Sequence, residues 1–376
     1  MVDPLRVAII GLQHLHPRSY MPHFQATKTL QVVAASDPME SLRAGFEHDF
    51  GIRAYADWRK LLAAEKMDLA YIFLPHDECP AAAVACAENE THVVVEKPVA
   101  TTAHDAREVV EACRRNQVLF STPYVWRYHP VCREMKKIID CGVLGQIVSC
   151  EGRCAAGGVH RYVDGHASWM LQRKKSGGGP MYNLGVHWID LYRWLLGSEV
   201  TAAIGKNVHV NREYDIEDNS LAICTFASGA TLMLDISYTV PDSYPFGRDL
   251  YLAIRGTEGC MSFAPAFEGT RQTLFVCSND PRFGGAPRKT MQFELESRPG
   301  YSGTLGLEYV AEIADDILKE RQPFIGGNDA VKAIEVVEAI YRSASTGSVV
   351  ELHGERSKEV GGRSCGSEAR VLPPNS

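Results

Sequence analysis

Between Leu5 and Ser121, short apolar runs alternate with segments of helical character, and no other feature narrows the fold so far. The runs at 5–10, 30–35, 69–74, 92–95 and 118–121 are short and rich in Val, Ile and Leu. They lack the polar alternation of a half-exposed strand, so they read as strands buried on both faces. Helices are predicted over 17–28, 39–50, 57–65, 80–88 and 103–115, with Gly51 as a C-cap. Strands of this kind need helices on both faces. The first unit, 1–124, is therefore predicted to be a doubly wound parallel α/β sheet.

The pattern changes after Trp126-Arg127-Tyr128-His129-Pro130. A helix at 131–141 leads into alternating segments at 146–153, 221–226 and 231–238, interrupted by a helix predicted as continuous over 181–196. This suits an α+β unit, 125–352, with one large open, mainly antiparallel sheet and helices on one face. Leu307, Val310, Ala314, Ile317 and Leu318 mark one further amphipathic helix. Val331, Ile334, Val337, Ile340 and Tyr341 mark another. Residues 353–376, rich in Gly, Ser and charge, are expected to form a disordered tail.

The 376 residues are 45% hydrophobic and 23% charged, an ordinary composition for about two folded domains. A net charge of −7 argues against nucleic acid as a partner. No apolar run reaches membrane-spanning length, and the N-terminus has no secretory h-region, so a cytoplasmic protein is expected. The eleven cysteines show no CxxC pair and read as reduced, mostly buried thiols.

The first strand runs into Gly11-Leu12-Gln13-His14-Leu15-His16. Dinucleotide folds hold a pyrophosphate at this turn, on glycine backbone at a helix N-terminus. Only the first glycine of a GxGxxG pattern is present. Gly11, Leu12, Gln13, His14 and Leu15 are still the expected cofactor turn. Asp37, at the end of the second strand, is placed to bond a ribose diol. A carboxylate there favours NAD over NADP, because it repels a 2′-phosphate. Leu74, Pro75, His76, Glu96 and Lys97 follow the next strands at the edge where open α/β sheets bind ligands. His14 and His16 suggest a metal, but no third ligand is near in sequence and none is expected.

Far downstream come Gly177-Gly178-Gly179 and Asn183-Leu184-Gly185-Val186-His187-Trp188-Ile189-Asp190. On one helix, Asn183, His187 and Asp190 share a face, and the glycines read as a flexible approach to it. Oxidation of a carbinol requires removal of a hydroxyl proton. A histidine is suited to that, and a desolvated lysine can polarise the oxygen.

The ordered set of the βα start, Asp37, Leu74-Pro75, Glu96-Lys97-Pro98, Arg127-Tyr128-x-Pro130, Gly142-Val143-Leu144-Gly145-Gln146-Ile147, the triple glycine and Gly185-x-His187-x-x-Asp190 resembles the Gfo/Idh/MocA family over residues 5 to 352. The resemblance implies an N-terminal Rossmann domain and a second domain whose sheet forms homodimers or homotetramers. It also implies NAD(P)-dependent oxidation or reduction of a sugar or cyclitol hydroxyl. Lys97 matches the lysine that contacts substrate and cofactor, and His187 the histidine that exchanges a proton with the reacting hydroxyl. Three positions depart from the pattern: the glycine turn, Cys79 where a histidine often stands, and Asn183 where many members have aspartate. Asparagine can hydrogen-bond but carries no charge, which leaves proton transfer to His187 or Lys97.

Arg127 is expected to border the nicotinamide. Tyr124, His166 and Trp169 are expected to join Lys97, Asn183 and His187 around the substrate, with Arg161 and Tyr162 in a covering loop. Tyr238, Tyr244 and Arg248 are assigned to a sheet edge facing a neighbouring subunit. The expected function is an NAD-dependent oxidoreductase for a small sugar-like molecule. A lyase or hydrolase with tightly held NAD, and a non-catalytic NAD-binding regulator, are the alternatives.

Overall fold

The computed structural model describes residues 3–265, 270–283 and 287–352, so the tail predicted at 353–376 lies outside the described residues. The first sheet comprises β1 (Leu5–Ile10), β2 (Leu30–Ser36), β3 (Arg53–Tyr55), β4 (Leu69–Ile72), β5 (His92–Val95) and β6 (Phe120–Ser121). Its order is β3-β2-β1-β4-β5-β6, with every pair parallel. Val7, Ile9, Ile10, Ile72 and Val95 are fully buried between helices on both faces. β3 escapes a reading based on apolar runs: Arg-Ala-Tyr has no hydrophobic signal and becomes a strand by pairing with residues 34–36. The chain leaves β1 towards β2 on one side and returns to β4 on the other. The crevice at the C-terminal ends of β1 and β4 is therefore the topological switch point, where doubly wound sheets take ligands.

The second sheet has nine strands: β7 (Ile147–Gly157), β8 (Val200–Val208), β9 (Asn219–Phe226), β10 (Thr231–Val240), β11 (Arg248–Gly256), β12 (Gly259–Phe263), β13 (Arg271–Ser278), β14 (Arg288–Glu294) and β15 (Val350–Glu351). Their order is β14-β13-β12-β11-β7-β10-β9-β8-β15, antiparallel except for the parallel pair β7–β10. One face carries the helices Val186–Leu196 and Gly327–Thr346. Tyr192 Oη donates to Glu151 O and Ser343 Oγ accepts from Gly205 N, which fixes both helices to the sheet. The other face exposes Ile204, Leu221, Ile223 and Met233. Among the described residues no helix is long and apolar enough to cross a membrane.

The continuous helix predicted at 181–196 is corrected. Met181–Gly185 forms a π turn, and the α-helix begins only at Val186. Lys97 Nζ donates to Asn183 O at 2.9 Å, occupying an acceptor that an α-helix reserves for the N–H four residues on. The triple glycine is not flexible either. Gly179 N donates to Glu217 Oε2 at 3.1 Å and to Tyr341 Oη at 3.0 Å, and a Cβ there would lie 2.2 Å from Glu217 O. The glycines permit close packing ahead of the π turn.

A buried ion network ties the three parts that meet here. Arg127, in the 3-10 turn Val125–Tyr128, forks onto Asp190 at 2.8 and 2.5 Å and reaches Asp329 at 2.7 Å. Arg193 is bound by Glu199 at 2.6 and 2.7 Å. Removing one partner of such a pair strands the other charge in a dry interior. Arg127→Met is expected to lower unfolding free energy by about 3–5 kcal/mol, and Arg127→Met/Asp190→Leu to recover much of it, as read by denaturant titration. A loss below about 1 kcal/mol in the single variant would mean that the network is not a structural tie. Gly179→Ala is expected to cost about 1–3 kcal/mol by overpacking, seen as a lower Tm.

Candidate active site

The nucleotide turn is held from below by Asp37. Its Oδ2 accepts Leu12 N at 2.7 Å and Gln13 N at 3.1 Å, and its Oδ1 accepts Gln13 Nε2 at 3.0 Å and Met39 N at 2.8 Å. Asp37 is 2% exposed, so in this conformation the carboxylate caps the turn, and Gln13 lies where a ribose hydroxyl was expected. Gly11 has φ +94°, and a Cβ would meet Phe73 C and O and Leu74 N at 2.9 Å. No side chain fits between the end of β1 and the segment after β4. Arg43 Nη1 donates to the carbonyls of Asp37 and Pro38, both at 2.8 Å, putting a guanidinium at the end of β2.

The structure brings a third metal-competent side chain to the histidine pair: donor atoms of His14, His16 and Glu96 lie within 4.8 Å of one another. His14 Nδ1 accepts from His16 N at 3.1 Å, and burial holds the ring neutral, well below its ordinary pKa. A neutral ring that accepts at Nδ1 carries its proton on Nε2, which is then a donor and not a ligand. His14 Nε2 is buried without a partner among the described residues and is suited to an acceptor such as a phosphate oxygen. Glu96 Oε1 lies 3.2 Å from His16 Nδ1 and 3.9 Å from Lys97 Nζ. Burial raises the Glu96 pKa, with Lys97 opposing.

Trp169 and His76 close the same side. Trp169 Nε1 donates to Gln13 O at 2.5 Å, and the His76 ring meets the indole edge-to-face at 4.8 Å. His76 Nδ1 bonds Ser176 O at 2.8 Å, and burial pushes its pKa down to about 4. Trp169, expected at the substrate, thus covers the cofactor turn. Leu74 and Pro75 lead out of β4, and Leu74 O accepts Cys79 Sγ at 3.2 Å. Burial raises that thiol far above its ordinary range, so Cys79 is inert packing.

Lys97, at the end of β5, is 2% exposed. Its Nζ donates to Asn183 Oδ1 at 2.7 Å as well as to Asn183 O. Asn183 Nδ2 donates to Tyr162 Oη at 2.6 Å and to Tyr238 Oη at 2.9 Å, which orients the amide oxygen towards the lysine. Burial, assisted by Arg248 and Arg161 and opposed by Glu96, lowers the Lys97 pKa to about 8. His187 is buried with its Nδ1 unpartnered among the described residues. Burial first, then Lys97 and Arg248, keep this imidazole neutral.

Lys97, Asn183 and His187 line one cavity of about 490 Å³, together with Leu15, His16 and Tyr162. Three expected contributors are elsewhere. Arg127 is consumed by the Asp190–Asp329 network, which also takes Asp190 off the face shared with Asn183 and His187. Tyr124 is fully buried behind His187, with ring centroids 6.0 Å apart. His166 has φ +57° and is exposed on the turn after helix His160–Asp164. Conversely, Tyr238 and Arg248, expected at a subunit edge, serve the pocket of their own chain: Tyr238 bonds Asn183, and Arg248 lines the cavity. Arg298 and Tyr301 also line it and carried no sequence signal, because they sit in an irregular segment that docks on helix Pro17–Ala26 through Tyr301 N to Ser19 O.

Residues 5–124 match the model of the GFO/IDH/MocA oxidoreductase family, NAD-binding Rossmann fold, and residues 136–352 match the family's C-terminal alpha/beta domain. The chain is similar to D-xylose 1-dehydrogenase (NADP(+)) 2 of Haloferax volcanii, at 24% identity over 92% of this chain and 98% of that one. It is 23% identical to scyllo-inositol 2-dehydrogenase (NAD(+)) of Bacillus subtilis, over 95% and 98% of the two chains. Among solved structures, the aldose-aldose oxidoreductase of Caulobacter crescentus shares the fold, with a TM-score of 0.78 and 23% identity over 93% of this chain and 100% of that one. A parallel Rossmann sheet with a buried lysine after its strand β5 and a second, open mixed sheet agree with both matches, and the chain belongs to the Gfo/Idh/MocA family of NAD(P)-dependent oxidoreductases.

Proposed function

We propose that this chain is a dehydrogenase that interconverts a secondary hydroxyl and a ketone on a sugar or cyclitol. The observation that carries the reading is the Lys97 ammonium, buried at the cavity floor and held by two oxygens of Asn183, with His187 on the same cavity. Two of the three ammonium hydrogens are committed to Asn183. The third position is left for a substrate oxygen, as a donor when Lys97 is charged and as an acceptor when it is neutral. His187 is neutral and supplies a hydrogen bond that positions the same oxygen. The relatives named for a pentose and a cyclitol support this class of substrate.

The cofactor of the proposal is NAD, carried by the turn 11–15, Asp37, Leu74, Pro75, His76 and Glu96. His14 Nε2, without a partner among the described residues, fits a pyrophosphate oxygen there. Bound nicotinamide supplies the hydride acceptor for oxidation and the donor for reduction. The Asp37 carboxylate favours NAD, whereas Arg43 beside it is the group that a 2′-phosphate would use, so both cofactors belong in the assay.

The open face of the second sheet is proposed to form a homodimer, since Ile204, Ile223 and Met233 are exposed cross-strand neighbours on it, with Leu221 exposed beside them. Light scattering is expected to give twice the chain mass, and Ile223→Lys to give the monomer. A monomeric parent chain would remove this proposal.

The catalytic roles are read from pH dependence. With Lys97 titrating near 8, kcat/KM for oxidation is expected to rise about tenfold per pH unit below that value and to level above it. Reduction needs the protonated amine and should decline above the same point. Lys97→Met is expected to lower turnover by about 10²–10⁴-fold, with NAD affinity within about threefold. His187→Asn should reduce the rate and leave the inflection in place. An inflection that survives Lys97→Met would transfer the proton to another group. Absence of turnover on every polyol and sugar, with either cofactor, would end the dehydrogenase reading.

A further inference from the structure

Cationic side chains outnumber carboxylates among the described residues that line the cavity of Lys97. Lys97, Arg161 and Arg298 line it, and the one lining carboxylate among the described residues, Glu296, is bound by Arg298 at 2.9 Å. Glu96 lies beyond Lys97, against His16. Arg161 is the clearest case. Its guanidinium is laid over the rings of Tyr162 and Tyr238, 4.8 and 5.7 Å from their centroids, and Nη2 donates to Tyr162 Oη at 2.7 Å. Its Nε is buried and has no partner among the described residues, nor does a described carboxylate pair with this side chain. A guanidinium stacked in place, with a buried donor left over, is a preorganised seat for a planar oxyanion. Asn183 agrees with this. A carboxylate at that position would sit 2.7 Å from Lys97 Nζ, cancel its charge and repel an incoming anion, whereas the amide leaves the field intact.

We propose that the substrate is a sugar acid, its carboxylate bound by Arg161 while its reacting hydroxyl meets Lys97 and His187. This deepens the dehydrogenase reading and rests on it for the second half of the statement.

The test uses the NAD-loaded full chain and matched pairs that differ in one group: D-glucuronate against D-glucose, and D-gluconate against D-glucitol, with D-glucose 6-phosphate as a separate arm. Calorimetric binding and nicotinamide absorbance are both followed. The carboxylate member of at least one pair is expected to bind ten- to a hundredfold tighter than its neutral partner. Arg161→Gln should remove that gap by weakening the carboxylate member alone, Arg161→Lys should restore part of it, and Asn183→Asp should narrow it. An unchanged NAD affinity and circular dichroism spectrum establish that the Arg161 variants are folded. Equal binding of neutral and acidic members, tighter binding of the phosphate than of either acid, no binding by either acid, or an equal loss for both members in Arg161→Gln each overturn the proposal. Preferred binding of an acid without hydride transfer to NAD or NADP keeps the anion seat and overturns the dehydrogenase reading instead. Transfer from neutral members alone does the reverse.

Discussion

One buried ammonium sets the terms for the site. Taking a lysine to 2% exposure is unfavourable unless its hydrogens are satisfied, and Asn183 satisfies two of them with its side-chain and backbone oxygens. The backbone contact diverts an acceptor from the helix and coincides with the π turn. The side-chain contact holds only while the amide faces the right way, and Tyr162 and Tyr238 decide that. Lys97 belongs to the first sheet, while Asn183, Tyr162 and Tyr238 belong to the second unit. The same hydrogen bonds that make the lysine tolerable also join the two halves of the molecule at the candidate site.

Around this contact the interior is rigid in a specific way. Arg127 and Asp190 form a buried, directional ion pair that the partly exposed Asp329 joins, and the Gly179 backbone is clamped by Glu217 and Tyr341. Neither touches the cavity. Both fix the helix that carries His187, which is how positioning is delivered to a neutral imidazole whose Nδ1 has no partner among the described residues.

The nucleotide turn shows a second solution to a familiar constraint. Two glycines of the usual pattern are missing, yet the loop stays compact, because Asp37 collects two of its amides and the Gln13 side chain. Trp169 then lies against Gln13 O from the other unit. The turn is held by side chains where glycines would have allowed free approach, and His14 Nε2 is a donor without a partner among the described residues.

What the sequence determined by itself is what local physics can encode. Doubly apolar runs pointed to the parallel sheet, Gly11 was read as the first glycine of the turn after the first strand, and Lys97 followed from its place at a strand end on the ligand-binding edge. His187 was singled out from its place after the triple glycine and from the family resemblance. The tertiary structure decided every assignment that depends on a partner distant in the chain. Arg127 looked like a cofactor residue until Asp190 and Asp329 claimed it. Tyr238 and Arg248 looked peripheral until β10 and β11 carried them beside Lys97. Glu96 became the neighbour of His14 and His16 only when β5 came to lie two strands from β1. Charge and hydrogen-bond complementarity are set by distances of a few ångströms between segments that the chain brings together only on folding, and no periodicity along the sequence records them.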